Sequence, residues 1–472
     1  MERLETDVLI IGAGSGGLSV AAGAVQMGAK VVLLEGHKMG GDCLNFGCVP
    51  SKALLSAAKQ AYGMTTGEGQ GVTPVTPKID YAAAKDHVAK AIATIEPHDS
   101  QERFEGLGVH VIREYGRFIG LNEVQAGDTV IKARRIVIAT GSSPLVPPIP
   151  GLDCVKYFTN ENIFDLREKP EHLIIIGGGP IGLEMAQAHI RLGSKVTVIE
   201  GMKALGRDDP DAAEIVLEKL RAEGVEIVEE AMAEKISEDN GTLTVETSKG
   251  TYQGSHLLVA AGRKVNLDKL DLDKAGIAFD RAIKVNENLK SVSNKHVYAI
   301  GDAAGGLQFT HVAGYHAGVI IRSMLFGLPS KARTDHIPWV TYTDPELAQI
   351  GPTEAEAIKK HGKGSITTVR FDYIGNDRAI AQDKTTGFIK VMVMGGKPIG
   401  ATIVGDQAGE LIGVWALAIA NKLKMSAVAG MVAPYPTLGE INKRVAGAYF
   451  GPKLFENPTV KKVVGYVQRY LS

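Results

Sequence analysis

The apolar run DVLIIG begins at Asp7 and ends in a glycine turn; apolar residues then recur at helical spacing until a second apolar run closes on an acid. The same order returns from His172. Laid over one another, DVLIIGAGSGGLSVAAGAVQMGAKVVLLE and HLIIIGGGPIGLEMAQAHIRLGSKVTVIE stay in step throughout: strand, G-x-G-x-x-G turn, amphipathic helix, second strand, terminal acid. The glycines are Gly12, Gly14 and Gly17 in one copy and Gly177, Gly179 and Gly182 in the other; each first glycine stands 23 residues before its acid, Glu35 or Glu200. Glycines in this pattern make a tight turn and let a pyrophosphate sit on a helix N-terminus, while the acid accepts hydrogen bonds from a ribose. A single copy is a weak signal, but two copies in matching strand and helix context predict two dinucleotide sites on one chain. Glycine turns that bind nothing are the competing explanation, and the doubling disfavours it.

Elsewhere the pattern predicts a helix over VPSKALLSAAKQAYG, starting near Pro50 and Ser51, where proline suits the first helical turn. Alternating apolar strands follow residue 337, with a helix from about Leu411 to Lys424 behind them, and KPEH at 169–172 reads as a link into the second repeat.

Composition narrows the function. The chain has 472 residues, 56 glycines, three cysteines and a formal net charge of -1. Length allows roughly two to four domains at about 100–200 residues each. Acids and bases are interspersed, so no electrostatic footprint for nucleic acid or an anionic membrane is expected. The first strand starts too early for a secretory leader, and no run approaches the roughly 18 apolar residues of a membrane span. A cytoplasmic location is expected.

Two of the three cysteines, Cys43 and Cys48, lie in GGDCLNFGCVPSK. A structural staple does not fit so cysteine-poor a chain. A zinc site needs about four ligands, and no second cysteine pair or histidine-rich motif accompanies this one. Redox chemistry is favoured over that rival: thiols around a helix start can bond if the backbone bends, and a helix N-terminus keeps a thiolate available. No resident metal is expected. Two dinucleotides on one chain, one a nicotinamide and one a flavin, would then feed electrons to this pair.

GGDCLNFGCVPSKALL resembles the redox-active segment of the flavoprotein disulfide reductases, a family that includes dihydrolipoamide dehydrogenase, glutathione reductase and mercuric reductase. IVIATGSSP at 136–144, LVAAGRKVN at 258–266 and VYAIGDAAG at 297–305 match the family's order along essentially the whole chain. The resemblance implies an α/β fold with two Rossmann-like dinucleotide-binding domains plus a C-terminal α+β dimerisation domain. Its divisions would be an FAD-binding domain (1–150 with 271–335), an NAD(P)H-binding domain (151–270) and an interface domain (336–472) that makes a homodimer. It further implies that Asp302 holds the ribityl chain of FAD and Glu35 its adenosine ribose, and that Cys48 lies against the flavin while Cys43 faces the substrate. Lys52 and Glu184 would pair beside the flavin's reactive edge. Gly41, Thr140, Gly141, Gly262, Arg263 and Gly301 fall in the same cofactor motifs. Glu200 suits a free ribose 2′-hydroxyl, so NADH is favoured over NADPH, although Lys203 and Arg207 nearby could attract a phosphate.

One departure bears on the acceptor. The family's dithiol enzymes carry a histidine with a glutamate five places on; VAPYPTLGEINKRVAG keeps Glu440 but has Tyr435 at the histidine position. A phenol, with pKa near 10 against about 6.5 for imidazole, is a poor general base at neutral pH. Mercuric reductase resembles this chain there, which favours a metal ion or thiol-bound metal as acceptor, although the tail KKVVGYVQRYLS offers no cysteine pair to hand a metal inward. A lipoamide-type activity, a redox-sensing flavoprotein that binds NADH and acts through a partner, and direct electron transfer to quinone or oxygen are the alternatives. His311 and His316 follow the GDA motif and are candidates for a substitute base, but packed structural histidines are commoner in such a helix. Cys154 is expected to be a buried bystander.

Overall fold

The computed structural model describes residues 2–471. Strand β1 (Glu2–Ile11), helix α1 (Ser15–Gln26) and strand β2 (Val31–Leu34) form the first repeat unit. With β3 (His110–Ile112), β4 (Gly116–Phe118), β5 (Glu123–Ala126) and β6 (Thr129–Ile138) they build a sheet in the order β3-β2-β1-β6-β5-β4, and Val297–Ala299 adds to β6. The β3-β2-β1-β6 portion is parallel. Val8, Leu9, Ile10 and Ile11 are all buried, as a strand covered on both faces requires, and each such side chain stabilises the fold by roughly 1.5–3 kcal/mol. β1 starts earlier than its apolar run, because Glu2–Thr6 continues the ladder along Thr129–Ala133 although its side chains are largely polar. Backbone pairing decides that boundary, not hydrophobicity.

Helix α2 (Cys48–Met64) follows the cysteine loop, and it begins at Cys48 itself, two residues ahead of the start inferred from Pro50. The second repeat unit is β7 (His172–Ile176), α3 (Pro180–Arg191) and β8 (Lys195–Ile199). β9 (Glu226–Val228) and β10 (His256–Val259) flank it in a parallel four-stranded sheet, β9-β8-β7-β10. Helix α4 (Thr310–Met324) packs on α1, and Gly23 marks the close approach: a Cβ there would sit 2.5 Å from Ile321 Cδ1.

The C-terminal portion is a five-stranded antiparallel sheet of β11 (Pro338–Thr341), β12 (Glu346–Ile350), β13 (Thr367–Asp372), β14 (Phe388–Met394) and β15 (Lys397–Gly405), ordered β11-β12-β15-β14-β13. The helix inferred over Leu411–Lys424 is instead two short ones, Ala408–Leu411 and Gly413–Ala420. Lys422 takes a positive φ of 55°, and Leu423 N–H closes back on the Ala418 carbonyl at 2.8 Å, which stops the helix short of Lys424. Cys154 is exposed rather than buried: it ends a short helical turn, Leu152–Cys154, whose apolar anchor is Leu152.

Ionic contacts tie the second nucleotide unit to the C-terminal sheet. Lys390 is buried and holds both carboxylate oxygens of buried Asp209, at 3.1 and 3.0 Å, with Asp211 at 2.9 Å. Arg191 clasps Glu223 through two hydrogen bonds, 2.7 and 2.6 Å, and reaches Asp344 at 3.0 Å.

Candidate functional site

The two glycine turns are copies in three dimensions as well as in sequence. Gly12 and Gly177 have φ of +106° and +116°, and a Cβ on either would lie 2.4 or 2.3 Å from a carbonyl oxygen, of Ala139 or Ala260. A Cβ on Gly17 or Gly182 would meet the carbonyl oxygen of the first glycine at 1.9 Å. Those four positions are therefore demanded by the chain's own packing. The middle glycines differ: Gly14 and Gly179 have ordinary φ of -80° and -79°. A Cβ on Gly14 would touch nothing nearer than 3.9 Å, and one on Gly179 would touch nothing within 4 Å. Neither backbone strain nor packing explains glycine there; its absence of a Cβ leaves the backbone open to close approach by a ligand. Helices α1 and α3 start at these residues with no side-chain cap and no acid in the first turn, so their N–H groups are free for an anion. Gly41 completes the first cradle, with φ of +62° and a would-be Cβ 2.7 Å from Gly14 Cα.

Glu35 and Glu200 are held alike. Glu35 accepts from Ala13 N–H at 2.8 Å and His37 N–H at 2.7 Å; Glu200 accepts from Gly178 N–H at 2.7 Å and Met202 N–H at 2.9 Å. Lys203 is drawn toward Glu230, at 3.4 Å.

The cysteine loop sits over the start of α2. Cys43 is half-buried, Cys48 is exposed, and both are free thiols. Cys48 Sγ lies 3.2 Å from Thr310 Oγ1, the first residue of α4. The hydrogen bond from Cys43 lowers the Cys48 pKa to about 6; Thr310 and the Lys52 charge act the same way, and burial works against them. Cys43 is pushed the opposite way, above the usual thiol range, by that same hydrogen bond and by burial. The pair thus divides into a thiolate at Cys48 and a protonated thiol at Cys43, an asymmetry its spacing alone did not assign.

Lys52 Nζ is 2.7 Å from Glu184 Oε2. Glu184 is buried on α3, and its other oxygen accepts from Tyr342 N–H at 2.9 Å, while Lys52 also stands 4.4 Å over the Tyr342 ring. One ion pair therefore joins α2, α3 and β11's outgoing turn.

A polar chain links the GDA motif to the cysteine loop. Ser142 donates to Asp302 at 2.5 Å, Arg263 donates to Ser142 Oγ and carbonyl at 2.7 and 2.6 Å, and Arg263 reaches Asp42 at 3.3 Å. Asn160 donates to the same Asp42 oxygen at 3.0 Å. Burial raises the Asp302 pKa, with Ser142 and Arg263 opposing. Gly301, Gly141 and Gly262 turn the backbone here at φ of +58°, +65° and +134°, and Thr140 Oγ1 donates to the Asn266 carbonyl at 2.8 Å. Thr310, Tyr342 and Asn160 carry no recognisable motif; Asp42 and Ser142 lie inside the GGDCLNFGCVPSK and IVIATGSSP segments but are not among the residues those motifs single out.

Tyr435 and Glu440 make their polar contacts within the C-terminal portion. Tyr435 is exposed, and its hydroxyl donates to Asp377 Oδ2 at 2.9 Å; that carboxylate raises the phenol pKa. Glu440 pairs with Arg444 at 2.9 Å. Both candidate histidines are engaged structurally. His311 Nε2 donates to the Pro338 carbonyl at 2.8 Å and His316 Nδ1 accepts from Gly301 N–H at 3.1 Å, with burial lowering both pKa values. Among the described residues no three or more His, Cys, Asp or Glu side chains gather as a metal cluster.

Residues 6–317 match the family model of the pyridine nucleotide-disulphide oxidoreductases, and residues 337–446 match that family's dimerisation domain. The chain belongs to this family. It is similar to the mercuric reductase of Lysinibacillus sphaericus, 32% identical over 92% of this chain and 81% of that protein. It is similar to the dihydrolipoyl dehydrogenase of Staphylococcus aureus as well, 33% identical over 95% and 97%. The HOCl-induced flavoprotein disulfide reductase RclA of Escherichia coli, solved as a Cu(II) complex, superimposes with a TM-score of 0.83 at 27% identity, over 93% of this chain and 99% of that one. The family uses FAD and NAD(P)H, and the match of residues 337–446 to its dimerisation domain supports a homodimer. No helix among the described residues is long and apolar enough to cross a membrane.

Proposed function

We propose that this oxidoreductase uses NADH to reduce, by way of FAD, a disulfide between Cys43 and Cys48, and that the dithiol serves a metal ion or thiol-bound metal in the manner of a mercuric reductase. In this assignment residues 1–150 and 271–335 hold FAD, 151–270 hold NADH and 336–472 pair the subunits. The first cradle, with Glu35, Gly41, Thr140, Gly141 and Asp302, would hold FAD, which when bound supplies the two-electron relay between nicotinamide and disulfide. Glu200, with Lys203 already drawn to Glu230, supports NADH.

The chain's own groups have separable tasks. Two electrons and one proton open the disulfide to a Cys43 thiol and a Cys48 thiolate, the division that the Cys43 hydrogen bond and Thr310 favour. Lys52 keeps a positive charge beside that thiolate, and buried Glu184 fixes the lysine in place. Cys43 is the thiol offered to the acceptor.

The observation that carries the acceptor class is the hydrogen bond from Tyr435 to Asp377. A phenol whose O–H is already donating to a carboxylate keeps its proton, as the raised pKa requires, and presents only its oxygen lone pairs to whatever approaches. Such an oxygen suits a cation held by thiolates and makes a poor base for dithiol oxidation. The mercuric reductase relatives and the Cu(II) complex of RclA support the same class. Steady-state NADH oxidation with Hg(II) in excess thiol, against oxidation with lipoamide, tests it: metal-dependent turnover with little lipoamide activity is expected, and fast lipoamide turnover refutes it. Similarity to dihydrolipoyl dehydrogenase over nearly the whole chain favours lipoamide as the second reading.

A further inference from the structure

Helix α5 (Pro458–Tyr470) lies beyond the matched dimerisation segment, which ends at residue 446. It is started with care: Asn457 caps it by accepting from Thr459 and Val460 N–H at 2.9 and 3.4 Å, and Pro458 opens its first turn. None of its residues is buried, and only Val460 is even half-covered. An isolated helix shorter than about 12–15 residues is marginal in water even when rich in alanine. This one contains Val460, Val463, Val464, Val467 and Gly465, which favour helix less than alanine does. Something must cover it for it to persist.

Its surface is sharply divided. At 100° per residue, Val463, Val464, Tyr466, Val467 and Tyr470 fall within an arc of about 160°. Tyr466 and Tyr470 are 62% and 63% exposed, with the rings 4.8 Å apart between centroids and tilted 44° to one another. Lys461, Lys462 and Arg469 share the opposite arc, and the helix contains no acid at all. The preceding short helix, Gly451–Phe455, adds exposed Phe455 and Leu454 and a further cation, Lys453. A moderately apolar face with cations of a single sign on the other is the composition that lies in a lipid headgroup region, where tyrosines sit at the interface and long basic side chains reach the phosphates. A contact between subunits has no need of that single sign.

We propose that α5 docks the holoenzyme dimer on an anionic phospholipid surface, apolar face inward, as a peripheral contact that does not span the bilayer. The test is vesicle flotation of the FAD-loaded full chain with vesicles of pure phosphatidylcholine or of phosphatidylcholine mixed with phosphatidylglycerol. Partition onto the phosphatidylglycerol vesicles is expected, falling as salt rises. Lys461→Gln with Lys462→Gln should lower the partition coefficient about thirtyfold, from about 1 kcal/mol per basic side chain at an anionic surface. Val463→Asp with Val467→Asp should abolish binding while FAD content, dimer mass and solution NADH oxidation stay unchanged. Three results overturn the proposal: no partition onto either vesicle, equal partition onto both, or dissociation of the dimer by the aspartate pair, which would make α5 a subunit contact. Flotation, FAD content and dimer mass do not depend on which acceptor the enzyme uses.

Discussion

Thr310→Val isolates the group that most directly sets the reactivity of the cysteine pair from outside it. The change keeps the side-chain shape and removes the hydroxyl 3.2 Å from Cys48 Sγ. A hydrogen bond to a charged group is worth about 1.5–3 kcal/mol, and one pKa unit is about 1.4 kcal/mol, so full loss would raise the thiolate's pKa by about 1–2 units. Cys48 is exposed, and water replaces part of the lost bond; the lower end, about one unit, is expected. The thiolate forms as pH rises through about 6 in the native protein, so the variant's midpoint should move to about 7. The assay is the pH dependence of alkylation of the reduced enzyme by iodoacetamide, with the fast-reacting site assigned by peptide mapping. Lys52→Met, whose charge Glu184 already offsets, should shift the midpoint less. An unchanged midpoint in Thr310→Val, or a larger shift in Lys52→Met, would refute the assignment of Thr310 as the principal external donor.

Cys43→Ala should leave FAD bound and reducible by NADH yet abolish acceptor turnover, measured by stopped-flow reduction beside steady-state rates. Gly179→Ala should fold normally but weaken NADH binding by isothermal titration, whereas Gly182→Ala, with its Cβ 1.9 Å from the Gly177 carbonyl oxygen, should lose soluble protein or thermal stability instead. Equal behaviour of the two would contradict the ligand explanation for the middle glycine. Lys390→Met leaves buried Asp209 without its partner and should cost about 3–5 kcal/mol by urea unfolding, because an unpaired buried carboxylate has lost its compensation. Asp377→Asn should lower the Tyr435 pKa, seen in an ultraviolet pH titration, since the carboxylate that raises it is gone.

The repeat made both glycine turns legible in the sequence because glycine spacing records backbone geometry directly: Gly12, Gly17, Gly177 and Gly182 stand where no Cβ fits. Boundaries were less legible. β1 runs through Glu2–Thr6 on backbone pairing alone, and the break before Lys424 rests on Lys422 in a left-handed turn that any residue type disguises. Thr310, 262 positions from Cys48, could not be seen by spacing, since only the packing of α4 brings it there. The whole-chain charge of -1 likewise concealed α5, where cations and valines separate onto opposite faces within 13 residues.

The measurement closest to the central claim is an anaerobic titration of the FAD-loaded dimer with NADH, followed by absorbance. If the Cys43–Cys48 disulfide takes the first two electrons, one equivalent per subunit should give a long-wavelength charge-transfer band while the flavin stays oxidised. The band should vanish as pH falls below about 6, when Cys48 is protonated. Bleaching of the flavin by the first equivalent, with no such band at any pH, would contradict the account.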